Sequence, residues 1–148
     1  MQTYLKMSDI IELAETIANQ IQDRFLDMGD IIYLYGIPRG GIPAVLAVKS
    51  FLPDEYKITD NLLEAHVIID DIIDSGNTRN LHLAQNPMAV FYALIDKESN
   101  PDDTWWIFPW EASFESSVED IFIRMKQAFN NVTEEKIDEI KNLLGYIE

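Results

Sequence analysis

The hydrophobic positions of the chain switch repeatedly between helical and strand spacing, a pattern typical of α/β proteins. Apolar residues at helical intervals predict a first helix that Ser8 caps and that runs to about Met28, with Gly29 at its end. The apolar run 31–35 predicts a buried strand. The Ala/Val/Leu-rich segment 43–51, with proline in its first turn, predicts a packing helix.

The same alternation continues through the middle of the chain. We expect a weak strand at 56–58, a strong buried strand at 67–70, a helix over about 78–84 and a strand over 89–95. The polar segment 98–103 predicts an exposed loop. Strands that alternate with helices pair in parallel, so the expected sheet is mostly parallel and doubly wound.

Two helical patterns close the chain, at about 117–129 and 133–146, and Thr133 is a suitable N-cap for the second. Neither segment carries a recognisable catalytic group. We therefore predict a single α/β domain over 1–148 whose residues 112–148 form a helical C-terminal extension.

Hydrophobic content, cysteine count and net charge exclude several classes of protein and site. The 148 residues are 47% hydrophobic, enough for one core, and contain no cysteine, which excludes disulfides and thiolate metal sites. A net charge of −15 with eleven scattered Lys and Arg residues argues against a nucleic-acid partner. No secretory signal or membrane-spanning run is evident, so we expect a soluble, cytoplasmic protein with no membrane association.

Most of the side chains that could bind a ligand or a metal follow the third predicted strand. There an apolar run is followed by three carboxylates and then by a Ser-Gly-x-Thr loop. The carboxylates are Asp70, Asp71 and Asp74, and the loop consists of Ser75, Gly76, Asn77 and Thr78. Such a loop lets backbone N–H groups surround an anion, and the next helix directs its N-terminus to the same place. Carboxylates bind sugar hydroxyls or Mg²⁺ rather than phosphate, so a phosphorylated sugar satisfies the whole segment.

Two other segments have similar positions relative to predicted strands. The glycine-rich loop 36–43 follows the first strand and contains Arg39, Gly40 and Gly41. Arg39 offers a forked cation to pyrophosphate and the glycines permit close backbone approach, although a surface Arg in a plain turn is the alternative. The aromatic segment 103–111 lies beside a further strand, and ligands of open α/β sheets bind at the carboxyl ends of the strands.

These three segments, in this order, resemble the type I phosphoribosyltransferases. The run 67–78 is similar to their phosphoribosyl pyrophosphate (PRPP) signature, 36–43 to their pyrophosphate loop, and 103–111 to the base-binding end of the xanthine-guanine branch. The resemblance covers about residues 1–111. It implies transfer of the 5-phosphoribosyl group of PRPP to a guanine-, xanthine- or hypoxanthine-like base, with release of pyrophosphate and with Mg²⁺ as cofactor.

The resemblance also implies residue roles. Asp70 and Asp71 contact the ribose hydroxyls and Mg²⁺, directly or through water, while Asp74 lies near the purine as general acid or base. The glycine-rich loop and the loop from Ser75 to Thr78 bind the phosphates of PRPP.

On the base side, the resemblance has Trp105 stack on the purine and Lys97 contact its exocyclic oxygen, with Trp106 in the same segment. The alternatives stay open. Trp106, Phe108 and Trp110 alternate as in a strand, so one face of this segment can be core. Lys97 can be a surface residue. The two histidines are expected to be structural rather than ligands.

Asp-Asp-x-x-Asp is also the metal motif of isoprenoid synthases. That alternative is rejected, because there the motif lies on a helix, whereas 67–69 is strand-like and Ser75-Gly76 would break a helix.

The chain also departs from the family. The segment 49–66 leaves little room for the long lid loop, and 97–105 is shorter than the usual cover over the base. Either a second subunit then covers the cleft, for which we expect a homo-oligomer such as a dimer, or the open site lets water compete and transfer is slow. A binding or regulatory module for PRPP or a nucleotide is the alternative to an enzyme.

Overall fold

The computed structural model describes residues 2–26, 28–38, 40–99 and 104–108, and the two predicted C-terminal helices lie outside them. The elements in chain order are β1 (Gln2–Tyr4), α1 (Met7–Arg24), β2 (Ile32–Gly36), α2 (Gly41–Lys49), β3 (Tyr56–Ile58), a 3-10 turn (Leu62–Glu64), β4 (Val67–Ile73), α3 (Asn77–Gln85), β5 (Val90–Asp96) and β6 (Trp105–Ile107).

The main sheet has four strands in the order β3-β2-β4-β5, all parallel. Its central strand β4 aligns Val67 with Leu34 of β2 and with Val90 of β5. Parallel strands are buried on both faces, which is why the strand residues read as continuous apolar runs. The predicted α/β class with a mostly parallel, doubly wound sheet is confirmed.

Side chains of β4 alternate between two cores. Val67 and Ile69 belong to the larger core, which α1 and α2 build on one face of the sheet, and Ile68 belongs to a smaller one. Leu83 of α3 is partly buried and packs against this smaller core. Successive strand residues point to opposite faces, so β4 directs alternate side chains to the α2 side and the α3 side.

A second, two-stranded sheet pairs β1 with β6 in parallel, with Gln2 opposite Trp105. The alternation at Trp106 and Phe108 anticipated β6, and Phe108 is buried in the larger core. β1 was not predicted, because three residues are too few to display a periodicity. Its backbone bonds bring the start of the chain to the aromatic segment.

The bounds of α1 differ from the prediction. The helix begins at Met7, so Ser8 lies inside it, and the Lys6 N–H donates to the Asp9 carboxylate at 2.8 Å instead. The helix ends at Arg24, and Met28 is exposed. The predicted end was too late because Gly29, with a φ of 69°, belongs to the following turn rather than to a helix cap.

Candidate functional site

The candidate site lies at the carboxyl end of β4, which is three residues longer than predicted. β4 continues through the carboxylates because it stays paired with β5 as far as Ile73 opposite Asp96. Asp70 and Asp71 are therefore strand residues with opposite directions. Asp71 lies on the α2 side and Asp70 on the α3 side, so one strand end supplies a carboxylate to each loop.

Asp70 is the carboxylic acid of the site whose pKa is shifted most from its ordinary value. Its side chain is buried, and its pKa is raised to about 7 by burial, then by the charge of Asp71 and a side-chain hydrogen bond with it. The Asp71 N–H donates to Asp70 Oδ1 at 2.8 Å and opposes this rise only in part. A cation beside the pair would favour the charged form of Asp70.

The glycine-rich loop packs directly on the end of β4. A Cβ at Gly40 would stand 2.0 Å from Asp71 Oδ2, and one at Gly41 would stand 2.6 Å from the Ile69 carbonyl oxygen. Only glycine allows this approach, which brings the N-terminus of α2 against the Asp71 carboxylate. Arg39, the predicted pyrophosphate ligand, lies outside the described residues.

The Ser-Gly-x-Thr loop connects β4 to α3 by a tight turn. Gly76 has a φ of 85°, a left-handed conformation that favours glycine. Ser75 Oγ accepts from the Asn77 N–H at 3.3 Å, and α3 begins at Asn77. The first N–H groups of a helix have no partner within it, so those of Thr78 and its neighbours face the loop.

A cleft of about 180 Å³ opens beside this loop, between the end of β4 and the first turn of α3. Its lining is formed by Asp70, Ile72, Ile73, Asp74, Ser75, Gly76, Thr78, Arg79 and Phe91. The structure thus brings Asp70, Asp74, Ser75, Gly76 and Thr78 around one space, whereas Asp71 and Asn77 of the same motif are not part of its lining.

Beside the aromatic segment, the turn after β5 contacts the end of the carboxylate segment. Lys97 Nζ lies 3.8 Å from Asp74 Oδ1 and donates to the Thr104 carbonyl oxygen at 3.2 Å. The Lys97 N–H also donates to the Ile73 carbonyl oxygen at 2.8 Å, which attaches the turn to β4. The structure therefore places Asp74, Lys97 and the residue before Trp105 in one neighbourhood.

The two neighbouring tryptophans have different environments. Trp105 is 65% exposed, so its indole is accessible to a planar ligand. Trp106 packs against the larger core, and its buried Nε1 has no hydrogen-bond partner among the described residues. Strand alternation in β6 explains the difference, and it puts the two side chains on opposite faces.

The segment between α2 and β4 holds no long loop. Thr59 N–H donates to the Leu34 carbonyl oxygen at 2.9 Å, and the Asn86 side chain donates to the carbonyl oxygens of Leu62 and Ala65 at 2.8 and 2.9 Å. β3 and these bonds hold the segment on the body of the protein. The expected lack of room for a lid between Lys49 and β4 is confirmed.

Both histidines have structural contacts. His66 Nδ1 accepts from the Tyr33 N–H at 2.9 Å just before β4 begins, and His82 bonds the Thr78 carbonyl oxygen within α3 at 2.8 Å. Over the described ranges, no group of three or more acidic or histidine side chains is placed to hold a metal ion. The described helices include none that is long and apolar enough to cross a membrane.

Sequence reasoning missed an ion pair beside the loop. Arg79, the third residue of α3, makes a bidentate pair with Glu98, in which Nη2 lies 3.0 Å from Oε2. The available signal was a cation in the first turn of a helix, where the helix dipole disfavours positive charge. Glu98 was assigned only to an exposed loop.

Solved structures share this fold. A hypoxanthine-guanine phosphoribosyltransferase from Bacillus anthracis is 20% identical, with a TM-score of 0.54 over 70% of this chain and 77% of that chain. A purine phosphoribosyltransferase from Pyrococcus horikoshii is 16% identical, with a TM-score of 0.55 over 78% of this chain and 97% of that chain. A protein from Neisseria gonorrhoeae with bound ppGpp is 15% identical, with a TM-score of 0.56 over 86% and 97%.

No protein-family model matches the chain, and no curated protein matches its sequence. The structural likeness shows that the chain has a type I phosphoribosyltransferase fold that resembles the purine branch. The fold expected from the three sequence segments is confirmed.

Proposed function

We propose that the protein transfers the 5-phosphoribosyl group of PRPP to a 6-oxopurine base such as guanine, xanthine or hypoxanthine, and releases pyrophosphate. The observation that carries this proposal is the arrangement at the end of β4. A tight glycine loop and a helix N-terminus suit a phosphate, and Asp70 beside them suits ribose hydroxyls. Asp74 and Lys97 then lie together next to the segment of Trp105.

Mg²⁺ fits the donor set. Mg²⁺ commonly binds proteins through one or two carboxylates and completes its shell with substrate phosphates and water. Asp70 and Asp71 are two such carboxylates. The pKa of Asp70 is raised first by burial and then by the charge of Asp71, and a cation would offset the second of these causes. When bound, the ion would neutralise charge that develops on the pyrophosphate.

The chain's own residues have three tasks in this reaction. The loop from Ser75 to Thr78 binds the 5-phosphate through backbone N–H groups, and the glycine-rich loop with Arg39 binds the pyrophosphate. Asp70 and Asp71 orient the ribose. Asp74 holds or removes a proton of the purine, with Lys97 nearby to orient its carboxylate and the exocyclic oxygen of the base.

Trp105 supplies a planar surface for the base, because its indole is exposed beside this group. Trp106 remains a candidate ligand of the base, because its Nε1 has no hydrogen-bond partner among the described residues. A second subunit completes the cover over the base, so the active form is a homodimer. We place this homodimer in the cytoplasm.

A second candidate function is a PRPP- or nucleotide-binding regulatory module. The observation that favours it is the segment between α2 and β4, which is bonded to the sheet and cannot close over the site. Without a lid, water reaches the reacting centre and binding is better supported than turnover. The ppGpp found in the Neisseria gonorrhoeae structure makes a guanine nucleotide a suitable ligand to examine.

An assay of base consumption separates the two candidates. The protein is incubated with Mg²⁺ and PRPP and with guanine, xanthine, hypoxanthine or adenine, and nucleotide formation is followed by chromatography. The enzyme proposal requires PRPP-dependent loss of a 6-oxopurine. PRPP binding without nucleotide formation would support the regulatory module instead. Mass measurement in solution checks the expected dimer.

A further inference from the structure

The loop from Ser75 to Thr78, called the phosphate loop below, already faces a carboxylate of its own chain, that of Glu98. A Cβ added at Gly76 would stand 2.6 Å from Glu98 Oε2 and 2.9 Å from Arg79 Nη2. The Glu98 carboxylate thus lies against the loop, and the Arg79 guanidinium lies beside both. Loop, cation and carboxylate share one small region at the edge of the cleft.

Arg79 lies at a position of α3 where its guanidinium needs an anionic partner. Arg79 is in the first turn of α3, which contains no acidic residue of its own. Positive charge is disfavoured there by the helix dipole, so a cation stabilises this turn only with an anion close by. Glu98 provides that anion in the structure.

Glu98 is held in place by the turn that follows β5. Asp96 Oδ1 accepts from the N–H groups of Glu98 and Ser99, both at 3.0 Å, and Asp96 Oδ2 accepts from Ser99 Oγ at 2.8 Å. Burial opposes ionisation of Asp96, but these donors outweigh it and lower its pKa. The same turn directs Lys97 to Asp74, so it serves the base side and the phosphate side together.

We propose that Arg79 is a phosphate ligand of the loop and that Glu98 competes with the phosphate for Arg79. The inference rests on the proposed function, because it concerns the loop that receives the 5-phosphate. A guanidinium fork binds phosphate in the same bidentate manner as carboxylate, and a phosphate dianion also gains the helix N-terminus. The exchange is feasible because both partners are partly exposed, where solvent weakens ion pairs.

The competition makes the loop selective. A ligand must bring a phosphate dianion to displace Glu98, and a neutral sugar cannot do so. Glu98 therefore keeps the loop closed to uncharged ligands and lowers the affinity for weak anions, while Arg79 accounts for much of the gain once a phosphate has entered.

The test is a titration of the whole protein with ribose 5-phosphate, with ribose as the phosphate-free control. Backbone amide NMR shifts of the loop report binding, and the Arg79 Nη–Hη signals, from the two nitrogens that contact Glu98, report the exchange of carboxylate for phosphate. We expect Glu98→Gln to bind ribose 5-phosphate about tenfold more tightly and Arg79→Gln about tenfold more weakly, as suits hydrogen bonds between charged groups.

Matched controls separate the local effect from net charge. Glu15→Gln and Arg24→Gln make the same charge changes on α1, and we expect their affinities to stay within about twofold of the wild type because screened distant charges interact weakly. Glu98→Asp, which draws the carboxylate back by one methylene, should also tighten binding and is the second variant should Glu98→Gln fail to fold.

Unchanged or weaker binding by folded Glu98→Gln or, in its place, Glu98→Asp would overturn the inference and leave Glu98 as a structural residue of the turn. The same titration distinguishes failure of the proposed function from failure of this inference. If wild type and the Glu98 variants all ignore ribose 5-phosphate, both ideas fall; if wild type binds it and the Arg79 and Glu98 variants match wild type, only this inference falls. Binding by Glu98→Gln alone would support it strongly.

Discussion

The two sides of the candidate site, which we propose bind the phosphate and the base, are built in different ways. The phosphate side is one continuous strand, loop and helix, from Asp70 in β4 to Arg79 in α3. The base side is an assembly of distant segments, in which Lys97 after β5 reaches Asp74 after β4 and the Thr104 carbonyl oxygen before β6. The first depends on backbone geometry and the second on long-range contacts, so substitutions should affect them differently.

The largest expected effect is at the phosphate loop. Gly76→Val would force a β-branched residue into a φ of 85° and drive its Cβ toward Glu98 Oε2. Backbone strain of about 1–3 kcal/mol, together with displacement of the loop, should weaken PRPP binding by roughly 100-fold. Calorimetric titration with PRPP and Mg²⁺ measures this. Gly29→Val, at a positive φ far from the loop, is the control for strain alone, and equal loss in both variants would contradict a loop role.

Next comes Asp74→Asn, which should spare PRPP binding and reduce turnover. Asp74 is proposed to handle a proton of the base, and general acid–base catalysis contributes about 10²–10⁴-fold. We expect kcat to fall by about 100-fold while PRPP affinity changes by less than about threefold. Steady-state kinetics with a 6-oxopurine checks the split, and a parallel loss of PRPP affinity would assign Asp74 to the phosphate side instead.

Asp70→Asn should stabilise the free protein in a pH-dependent manner. The folded-state pKa of Asp70 is raised to about 7, above its ordinary value, so the folded state binds more protons than the unfolded state between about pH 4 and 7. Its contribution to stability is therefore lost as pH rises through that window.

We expect Asp70→Asn to raise the free energy of unfolding by about 2 kcal/mol at pH 8 and by less at pH 5, since removing a poorly solvated charge helps only where it is ionised. Urea unfolding at the two pH values measures this, with the exposed Asp60→Asn as control. A larger gain at pH 5 than at pH 8 would show that Asp70 is not the raised group.

The smallest effect is expected from Trp105→Ala. Loss of an exposed aromatic surface should weaken base or nucleotide binding by about 3- to 10-fold, the size of a single aromatic contact, and leave ribose 5-phosphate binding unchanged. Tryptophan fluorescence or calorimetric titration with guanosine monophosphate measures it. Leu81→Ala, another exposed apolar residue, is the control. An unchanged nucleotide affinity would move the base away from β6.

The sequence predicted the strand, turn and helix start of the proposed phosphate side because the information for them is local. A buried β-branched run, carboxylates, a glycine at a left-handed turn and a helix start follow one another within 67–78, and each imposes its conformation on its neighbours. The predicted bounds of α3 and β5 were within one residue of the structure for the same reason. Prediction failed for β1, which is too short to display a periodicity, and for the end of α1, because Gly29 belongs to the following turn rather than to a helix cap.

What the sequence alone determined is the α/β class, the order of its central elements and the tight turn between β4 and α3, since apolar periodicity and turn chemistry are properties of short segments. Tertiary structure decided the rest. Strand pairing with β5 extended β4 beyond Asp70 as far as Ile73, which made Asp71 a strand residue and set the opposite directions of Asp70 and Asp71. Packing of the turn after β5 brought Glu98 to Arg79 and Lys97 to Asp74, contacts between residues 19 or more positions apart that no local pattern encodes.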